Sequence, residues 1–350
     1  MTYAVYVSRD DSVEDINYRM GLEPLLDHDD VEVTFLSERD YHTLQPSDLE
    51  GANAVVSLED LITGESIAGL SELEIIAGFG AGLDNVDIDA CTEQGIAITN
   101  SAQGPRPSVA QSTLGMMLVC ASNLLGYNNL IKKQGFEGRF ANMGTHLYEK
   151  QLGIIGFGLI GSKVCELVEP FDMDVKVHDP YAPEERIEEY GVQRVELEEL
   201  LETSDFVTLH CGLNEETRNM LGTEQFERMK SSAYLLNTTR GGLYPDAELA
   251  EAIREGQIAG AAIDVFEDEP HVEGNPLLEL DDVLTTPHSA GVLREGLDNI
   301  GNIVSESILN VKNGEIPKNI VNPEIYDRPV PSEKLSPSYS ADAVEDHYRD

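Results

Sequence analysis

Short apolar runs alternate with longer amphipathic or polar segments along most of the chain. Runs of four or five apolar residues rich in β-branched side chains are typical of buried strands, whereas apolar residues three or four apart indicate helices. The strands predicted in the first hundred residues are Tyr3–Val7, Val31–Phe35, Ala54–Ser57, 73–77 and 96–99. This alternation predicts a first small α/β domain.

The same alternation continues beyond residue 150. The strands predicted there are 152–155, 175–178, 206–210, 233–237, 260–265 and Val283–Thr285, with helices over 196–202, 223–229 and 246–255. Buried strands separated by helices predict a second, doubly wound parallel sheet. Between the two domains, residues 107–132 form one long apolar helical pattern, which fits either an interdomain helix at a subunit interface or simple core packing. Residues 135–150 have few periodic apolar positions and predict an irregular arm.

A glycine pattern lies between the first two strands of this second set. Gly156, Gly158 and Gly161 follow strand 152–155, an apolar helical stretch comes next, and Asp179 closes the following strand. Gly156 permits a tight turn, Gly158 lets a pyrophosphate approach the backbone, and Gly161 lets the helix pack closely on the sheet. A carboxylate at Asp179 can accept hydrogen bonds from ribose hydroxyls and repels a 2′-phosphate. The pattern predicts an NAD-binding βαβ unit, with NADP less favoured; a glycine-rich turn without a ligand is the alternative.

The charge of the chain bears on its partners. Acidic residues number 65 against 23 basic ones, so the formal net charge is −42, and the acids are spread along the sequence. Such an excess disfavours nucleic acid and anionic membranes as partners. At 1 M salt the Debye length is only about 3 Å, which would screen much of the self-repulsion. The composition therefore resembles that of proteins from halophilic archaea, and bears on habitat rather than on chemistry.

Cysteine usage and hydropathy indicate a compartment. The cysteines at positions 91, 120, 165 and 211 are widely separated, without a CxxC pattern or metal-ligand spacing, so we expect free thiols in a reducing environment and no metal. The N-terminal residues lack a signal-peptide pattern, and no apolar run approaches the roughly 18 residues of a membrane helix. We therefore expect a soluble, cytoplasmic protein.

Three residues that could perform chemistry follow strands of the second set, at the sheet edge where dinucleotide folds bind substrates. Arg240 could hold a carboxylate in a bidentate fork. His288 could exchange a proton with a hydroxyl near neutral pH, and Glu269 could orient it and favour its protonated form. Taken singly, a structural salt bridge, a core histidine and an ordinary acidic residue are the commoner roles.

The segments NTTRGG, DVFEDEP, TPHSAG and VNPEI, together with the glycine pattern, resemble in order and spacing the D-isomer-specific 2-hydroxyacid dehydrogenase family. That family includes D-lactate, glyoxylate/hydroxypyruvate and phosphoglycerate dehydrogenases, and the resemblance covers residues 1–325. It implies that Arg240 binds the substrate carboxylate and carbonyl, that His288 is the general acid/base and that Glu269 is its partner. It also implies that the backbone amides of Ala81 and Gly82 contact the carboxylate.

The resemblance further implies a set of cofactor contacts. These are Gly156, Phe157, Gly158, Leu159, Ile160, Gly161, Asp179, Cys211, Gly212, Thr238 and Asp264. Leu159 and Ile160 would face the pyrophosphate, and Asp264 would hold the nicotinamide carboxamide. Gly212 stands where the family usually has proline. Gly78 stands where many phosphoglycerate dehydrogenases have an arginine, which weakens the case for a phosphorylated substrate.

The family also implies an overall organisation. A Rossmann coenzyme domain, residues 101–313 with its interdomain helices, would be inserted into a flavodoxin-like catalytic domain made of residues 1–100 and 314–328, with a disordered acidic tail over 329–350. Substrate would bind in the cleft, and domain closure would exclude water. A homodimer through residues 107–150 is implied. Arg106 is expected to be a solvent-facing loop residue, with a contact to substrate or cofactor phosphate as the alternative.

The function implied is reversible hydride transfer between NADH and a small 2-oxo acid, giving a D-2-hydroxy acid. One alternative is a corepressor-like protein that senses NAD without significant turnover, since such proteins can keep the same Arg, Glu and His. A formate-dehydrogenase-like enzyme is a third hypothesis, disfavoured because that branch has glutamine where Glu269 stands.

Overall fold

A computed structural model of the protein describes residues 2–8, 19–36, 43–140 and 143–326. The chain divides into two compact units, one made of Met1–Pro105 and the described residues from Arg294 onward, the other of Arg106–Leu293. The predicted tail over 329–350 lies outside the described residues.

Each unit is built around a parallel sheet. The strands are β1 (Tyr3–Val7), β2 (Val31–Phe35), β3 (Ala54–Ser57), β4 (Ile75–Gly78), β5 (Ala97–Thr99), β6 (Gln151–Ile155), β7 (Asp174–His178), β8 (Gln193–Arg194), β9 (Phe206–Leu209), β10 (Tyr234–Asn237), β11 (Gly260–Ile263) and β12 (Val283–Thr285). The helices are α1 (Glu23–Leu26), α2 (Ile88–Gln94), α3 (Arg106–Ala121), α4 (Leu124–Gln134), α5 (Leu159–Val168), α6 (Glu184–Tyr190), α7 (Leu197–Thr203), α8 (Thr223–Arg228), α9 (Asp246–Arg254) and α10 (Arg294–Lys312).

The sheet of the first unit has the order β2-β1-β3-β4-β5 with every neighbouring pair parallel. This is the flavodoxin-like order, as predicted. Side chains alternate between the two faces of each strand, so that Val55 packs in one apolar cluster and Val56 in the other.

The C-terminal helix α10 belongs to this first unit, whereas the prediction placed residues 294–313 with the coenzyme domain. Ile300, Val304 and Ile308 of α10 are buried in the same cluster as Val5 of β1 and Leu22. Gly301 allows α10 to lie close to the backbone of Met20, because a Cβ at position 301 would lie 1.8 Å from the Met20 carbonyl oxygen. An amphipathic pattern indicates that one face is buried but not which core receives it, and this is why the predicted boundary was wrong.

The second unit has the order β12-β11-β10-β9-β6-β7-β8, again all parallel. This is the Rossmann arrangement, extended by one strand, and it confirms the predicted doubly wound sheet. Leu235 and Leu236 of β10 point into the apolar clusters on opposite faces. Strands β6, β7 and β8 extend the sheet to one side, whereas β9 to β12 extend it to the other side of β6. In this fold a crevice forms between the loops that leave β6 and β9 in opposite directions.

The apolar pattern over residues 107–132 forms two helices rather than one. Helix α3 ends at Ala121, and α4 starts at Leu124 after Asn123, whose φ of 49° is left-handed. Asparagine tolerates that conformation better than most residues, so the chain turns without interrupting the apolar pattern. Within the described ranges no single helix is long and apolar enough to cross a membrane; only α3 and α4 taken together, bent by 52°, reach that length and composition.

Candidate active site

Six of the seven strands of the second unit's sheet are followed by predicted site residues. His288 follows β12, Glu269 follows β11, Arg240 follows β10, Cys211 follows β9, Gly156 follows β6 and Asp179 follows β7. These six strands are adjacent in the sheet, and they are parallel. Their carboxyl ends therefore bring to one edge residues that are up to 132 positions apart, from Gly156 to His288.

The glycine turn is closely packed at Gly156 and Gly161 and open at Gly158. Gly156 has a φ of 91°, and a Cβ there would lie 2.5 Å from the amide nitrogen of Cys211. A Cβ on Gly161 would lie 2.3 Å from the carbonyl oxygen of Gly156, so helix and turn touch. At Gly158, by contrast, a Cβ would meet no heavy atom of the described residues within 4 Å. The backbone is thus open where a phosphate would approach the first turn of α5.

Two of the residues predicted to contact the cofactor pack partly into the core. The Phe157 side chain is completely buried and lies edge-on against Tyr190, so only its backbone faces the turn. Ile160, in the first turn of α5, is partly buried against the same apolar cluster. Leu159 is partly exposed at the start of α5.

Asp179 holds the loops around the predicted ribose position. Its Oδ2 accepts the amide of Phe157 at 2.7 Å, and its Oδ1 accepts the amides of Tyr181 at 2.9 Å and Ala182 at 3.0 Å. These bonds fix the carboxylate between the glycine turn and the loop after β7. A carboxylate has about four lone-pair positions, so acceptor capacity remains for a ribose hydroxyl.

The strand ends between the glycine turn and the candidate catalytic residues carry Cys211, Gly212 and Thr238. Burial raises the pKa of the Cys211 thiol to about 11, so at neutral pH it is an uncharged group. Gly212 is exposed, and its carbonyl oxygen accepts the Thr217 hydroxyl at 2.7 Å. The Thr238 hydroxyl is buried 3.1 Å from that of Thr113 on α3.

Glu269 and His288 form the closest charged pair of this edge. Oε2 of Glu269 lies 2.7 Å from Nδ1 of His288, while Oε1 accepts the amide of Phe266 at 2.7 Å. The Glu269 side chain is 31% exposed to solvent and the His288 side chain is 43% exposed. Nδ1 is therefore the nitrogen that faces the carboxylate, and the proton on Nε2 is the one available to a substrate.

The surroundings of His288 and Glu269 favour a protonated imidazole and an ionised carboxylate. The hydrogen bond with Glu269 is the largest influence on His288 and raises its pKa; burial and the positive charge of Arg240 oppose this without cancelling it. Burial alone would raise the pKa of Glu269, but the hydrogen bond and charge of His288, the Phe266 amide and the charge of Arg240 together lower it. Arg240 therefore acts electrostatically on both members of the pair.

Arg240 is held in its loop by a residue whose role the sequence did not reveal. Asn237, at the end of β10, is completely buried. Its amide nitrogen donates to the carbonyl of Arg240 at 2.8 Å and to the Tyr244 hydroxyl at 3.2 Å, and its Oδ1 accepts the amide and hydroxyl of Thr239. Arg240 itself is partly buried, and its Nη1 donates to the Thr239 carbonyl at 2.8 Å. A buried asparagine with all four bonds made fixes the loop that carries the guanidinium.

Asp264 is engaged in a way that the sequence did not indicate. Its fully buried carboxylate accepts the Thr286 hydroxyl at 2.5 Å, the amide of Ser289 at 2.8 Å and the amide of Ala290 at 2.9 Å. Its backbone carbonyl also accepts the amide of His288 at 2.8 Å. His288 has a φ of 48°, a left-handed conformation that costs free energy in a non-glycine residue. Asp264 thus clamps the strained loop that presents His288.

Arg106 is not the solvent-facing loop residue that we expected. It is the first residue of α3 and is partly buried, and its Nη2 lies 3.4 Å from Oε1 of Glu166 on α5. Its buried Nε has no hydrogen-bond acceptor among the residues that the structure describes.

Ala81 and Gly82 lie in the other unit, in the bend after β4. Ser101 holds the start of this bend, since its hydroxyl donates to the carbonyl of Gly78 at 2.9 Å. Their predicted contact with a substrate carboxylate stays a prediction.

The chain is similar to proteins of one known family. A family profile described as D-isomer specific 2-hydroxyacid dehydrogenase, NAD binding domain, matches residues 114–290. A D-3-phosphoglycerate dehydrogenase of Methanocaldococcus jannaschii is 41% identical over 276 residues, which are 78% of this chain and 51% of that protein. The chain therefore spans about half the length of this relative.

Two further proteins are matched over most of their length. A glyoxylate reductase of Korarchaeum cryptofilum is 36% identical over 281 residues, 79% of this chain and 85% of that protein. The crystal structure of a D-lactate dehydrogenase from Aquifex aeolicus, complexed with NAD and lactic acid, aligns with a TM-score of 0.78 at 27% identity, covering 91% of this chain and 99% of that one.

Proposed function

Because the chain belongs to the D-isomer-specific 2-hydroxyacid dehydrogenase family, we propose that it is an NAD-dependent oxidoreductase that interconverts a small 2-oxo acid and the corresponding D-2-hydroxy acid. The observation that carries the proposal is the 2.7 Å contact between Glu269 and His288 on the sheet edge that also holds Arg240 and the open glycine turn. A carboxylate anchor, a proton donor and a dinucleotide cradle are the groups that this reaction needs.

In the proposed reaction Arg240, His288 and Glu269 have different roles. When bound, NADH supplies the hydride for the carbonyl carbon of the 2-oxo acid. Arg240 binds the substrate carboxylate and polarises the carbonyl through its fixed planar donors. Nε2 of His288 gives its proton to the carbonyl oxygen, and Glu269 stabilises the positive imidazolium that precedes this transfer. In the reverse direction the same nitrogen accepts the hydroxyl proton, so atoms and charges balance in both directions.

The substrate class follows from the anchor and from Gly78. One guanidinium fork suits a single carboxylate next to a carbonyl. A Cβ at Gly78 would lie 2.6 Å from Cδ2 of Leu83 and 3.3 Å from the carbonyl of Thr99, so the position has no room for a longer side chain without displacement of Leu83. This supports an unphosphorylated 2-oxo acid, with the amides of Ala81 and Gly82 as further donors to its carboxylate.

We also propose that two copies of the chain associate through α4 and the arm that follows it. Large apolar side chains are exposed there: Leu124, Ile131, Phe136, Phe140, Met143 and Tyr148, with Phe136 at 77%. An apolar patch of this kind is typical of a protein–protein interface. Sedimentation velocity should show a smaller species for F136D than for the control F35D, which alters an exposed phenylalanine of β2.

The compartment proposed is a reducing cytoplasm with high salt. The net charge of −42 and the four unpaired thiols support it, because screening lowers the repulsion among the carboxylates.

The proposed function is tested by NADH oxidation in concentrated KCl with glyoxylate, hydroxypyruvate, pyruvate, longer 2-oxo acids and phosphohydroxypyruvate. Turnover with an unphosphorylated acid and formation of its D-2-hydroxy product are expected. NADH binding without turnover on any of them would instead favour the NAD-sensing hypothesis, which the relatives named above, all of them named as dehydrogenases or reductases, do not support.

A further inference from the structure

An exposed tyrosine bridges two loops at the coenzyme end of the second unit's sheet. Tyr181 follows β7 and Glu216 lies in the loop after β9; the Tyr181 hydroxyl donates to Oε2 of Glu216 at 2.5 Å. Strands β7 and β9 flank β6 on its two sides. The Tyr181–Glu216 bridge therefore spans the carboxyl edge across β6, the strand that leads into the glycine turn.

Both ends of the bridge are fixed by the backbone. The amide of Tyr181 donates to Oδ1 of Asp179 at 2.9 Å, so the tyrosine is tied to the carboxylate proposed to hold the ribose. The amide of Glu216 donates to Oδ1 of Asn214 at 2.8 Å, and the Thr217 amide donates to the same atom at 3.0 Å. Tyr181 is 76% exposed, so this bond rather than core packing determines where its hydroxyl lies.

We propose that Glu216, held by Tyr181, is a second determinant of NAD over NADP at low ionic strength, acting beside Asp179. This inference rests on the proposed coenzyme site. A 2′-phosphate would belong to the ribose that Asp179 is proposed to hold. Tyr181 connects that carboxylate to Glu216, because its amide donates to Asp179 and its hydroxyl donates to Glu216, so the two carboxylates are separated by about the length of one tyrosine. Across such a distance two negative groups repel each other in dilute salt, where the Debye length is about 10 Å at 0.1 M.

The charge and the bridge can be separated by substitution. E216Q removes the charge, while the amide oxygen of glutamine can still accept the tyrosine hydroxyl. Y181F removes the bridge and keeps the charge. E215Q is the matched control, because Glu215 is the adjacent exposed residue, and its replacement changes the net charge by the same amount.

The test is the ratio of the dissociation constants of NADPH and NADH, measured by coenzyme fluorescence at the lowest KCl concentration that preserves the circular dichroism spectrum. E216Q should lower the ratio by about threefold to tenfold, Y181F should lower it less, and E215Q should leave it within about twofold of the unsubstituted protein. At 1 M KCl the effect of E216Q should shrink, since the Debye length falls to about 3 Å.

An unchanged ratio in E216Q, or an equal change in E215Q, would overturn the role of Glu216 while leaving the dehydrogenase function intact. Failure of the unsubstituted protein to bind NADH at all would overturn the proposed function, and this inference with it. The two failures are distinguishable because the first retains NADH binding and turnover.

Discussion

Nδ1 of His288 lies 2.7 Å from Oε2 of Glu269, although the two residues follow different strands of the sheet and are 19 positions apart. Two clamps maintain this contact. The amide of Phe266 fixes the other oxygen of Glu269, and Asp264 fixes the loop that carries His288. The contact raises the pKa of His288 and lowers that of Glu269. In both residues burial shifts the pKa the opposite way, but by too little to cancel the net shift.

The pH dependence of reduction should report this contact. Reduction of a 2-oxo acid requires protonated His288, so kcat/KM should fall as pH rises through the histidine pKa, which Glu269 has raised. E269Q removes the negative charge and should move that fall to lower pH. D268N is the control, since it removes an adjacent exposed carboxylate. An unmoved profile in E269Q would show that the two residues are not coupled.

Replacement of Arg240 by lysine should separate substrate binding from coenzyme binding. R240K keeps the positive charge but loses the planar fork, so kcat/KM for the 2-oxo acid should fall by about tenfold or more, through both a higher KM and a lower kcat. The dissociation constant of NADH should stay the same. R228K is a suitable control, because Arg228 pairs with Glu202 and Glu224 on the surface around α8. An equal loss of kcat/KM in R240K and R228K would show that Arg240 does not bind the substrate.

Asp264 should matter for stability as well as for rate. Asparagine offers one acceptor oxygen, so D264N leaves at least one of the donors at Thr286, Ser289 and Ala290 without its acceptor, and should lower the free energy of unfolding by about 1–3 kcal/mol. T286V removes a single donor and should cost less. Urea unfolding and the pH profile of kcat/KM measure the two effects. Unchanged stability and profile in D264N would mean that the carboxylate does not hold the His288 loop.

The glycine turn offers a substitution that separates binding from folding. G158A adds a Cβ that meets no described heavy atom within 4 Å, so the thermal midpoint should be retained, while NADH binding weakens because the methyl group occupies the approach of the pyrophosphate. G156A should instead destabilise the unit, given the φ of 91° and the Cys211 amide 2.5 Å from the new Cβ. G115A, on the exposed side of α3, is the control. Full NADH affinity in G158A would place the coenzyme elsewhere.

Much of the fold could be predicted because buried parallel strands are nearly continuous apolar runs. The predicted strands agree with β1, β2, β3 and β12 at both ends and with the others to within one or two residues. Strand β8 (Gln193–Arg194) was missed, because an exposed polar edge strand has no such run. The break at Asn123 was missed because a single left-handed residue leaves the helical period intact.

The candidate catalytic residues were predictable from motifs at strand ends, since parallel topology gathers those ends at one edge. The residues that hold them were not. The bonds of Asn237 to Arg240 and Tyr244, and of Asp264 to the His288 loop, depend on side-chain packing across loops, which no local pattern encodes. The sequence indicated Asn237 only as part of the segment NTTRGG, and Asp264 only as a cofactor contact.

The role of His288 as proton donor is tested most directly by single-turnover reduction in H288N. The protein with NADH bound is mixed with a 2-oxo acid that the unsubstituted protein reduces, and the loss of reduced nicotinamide absorbance is followed. H288N should bind NADH with unchanged affinity and reduce the acid about 100- to 10,000-fold more slowly. Reduction at the unsubstituted rate, with NADH binding intact, would show that His288 does not supply the proton and would contradict the proposed mechanism.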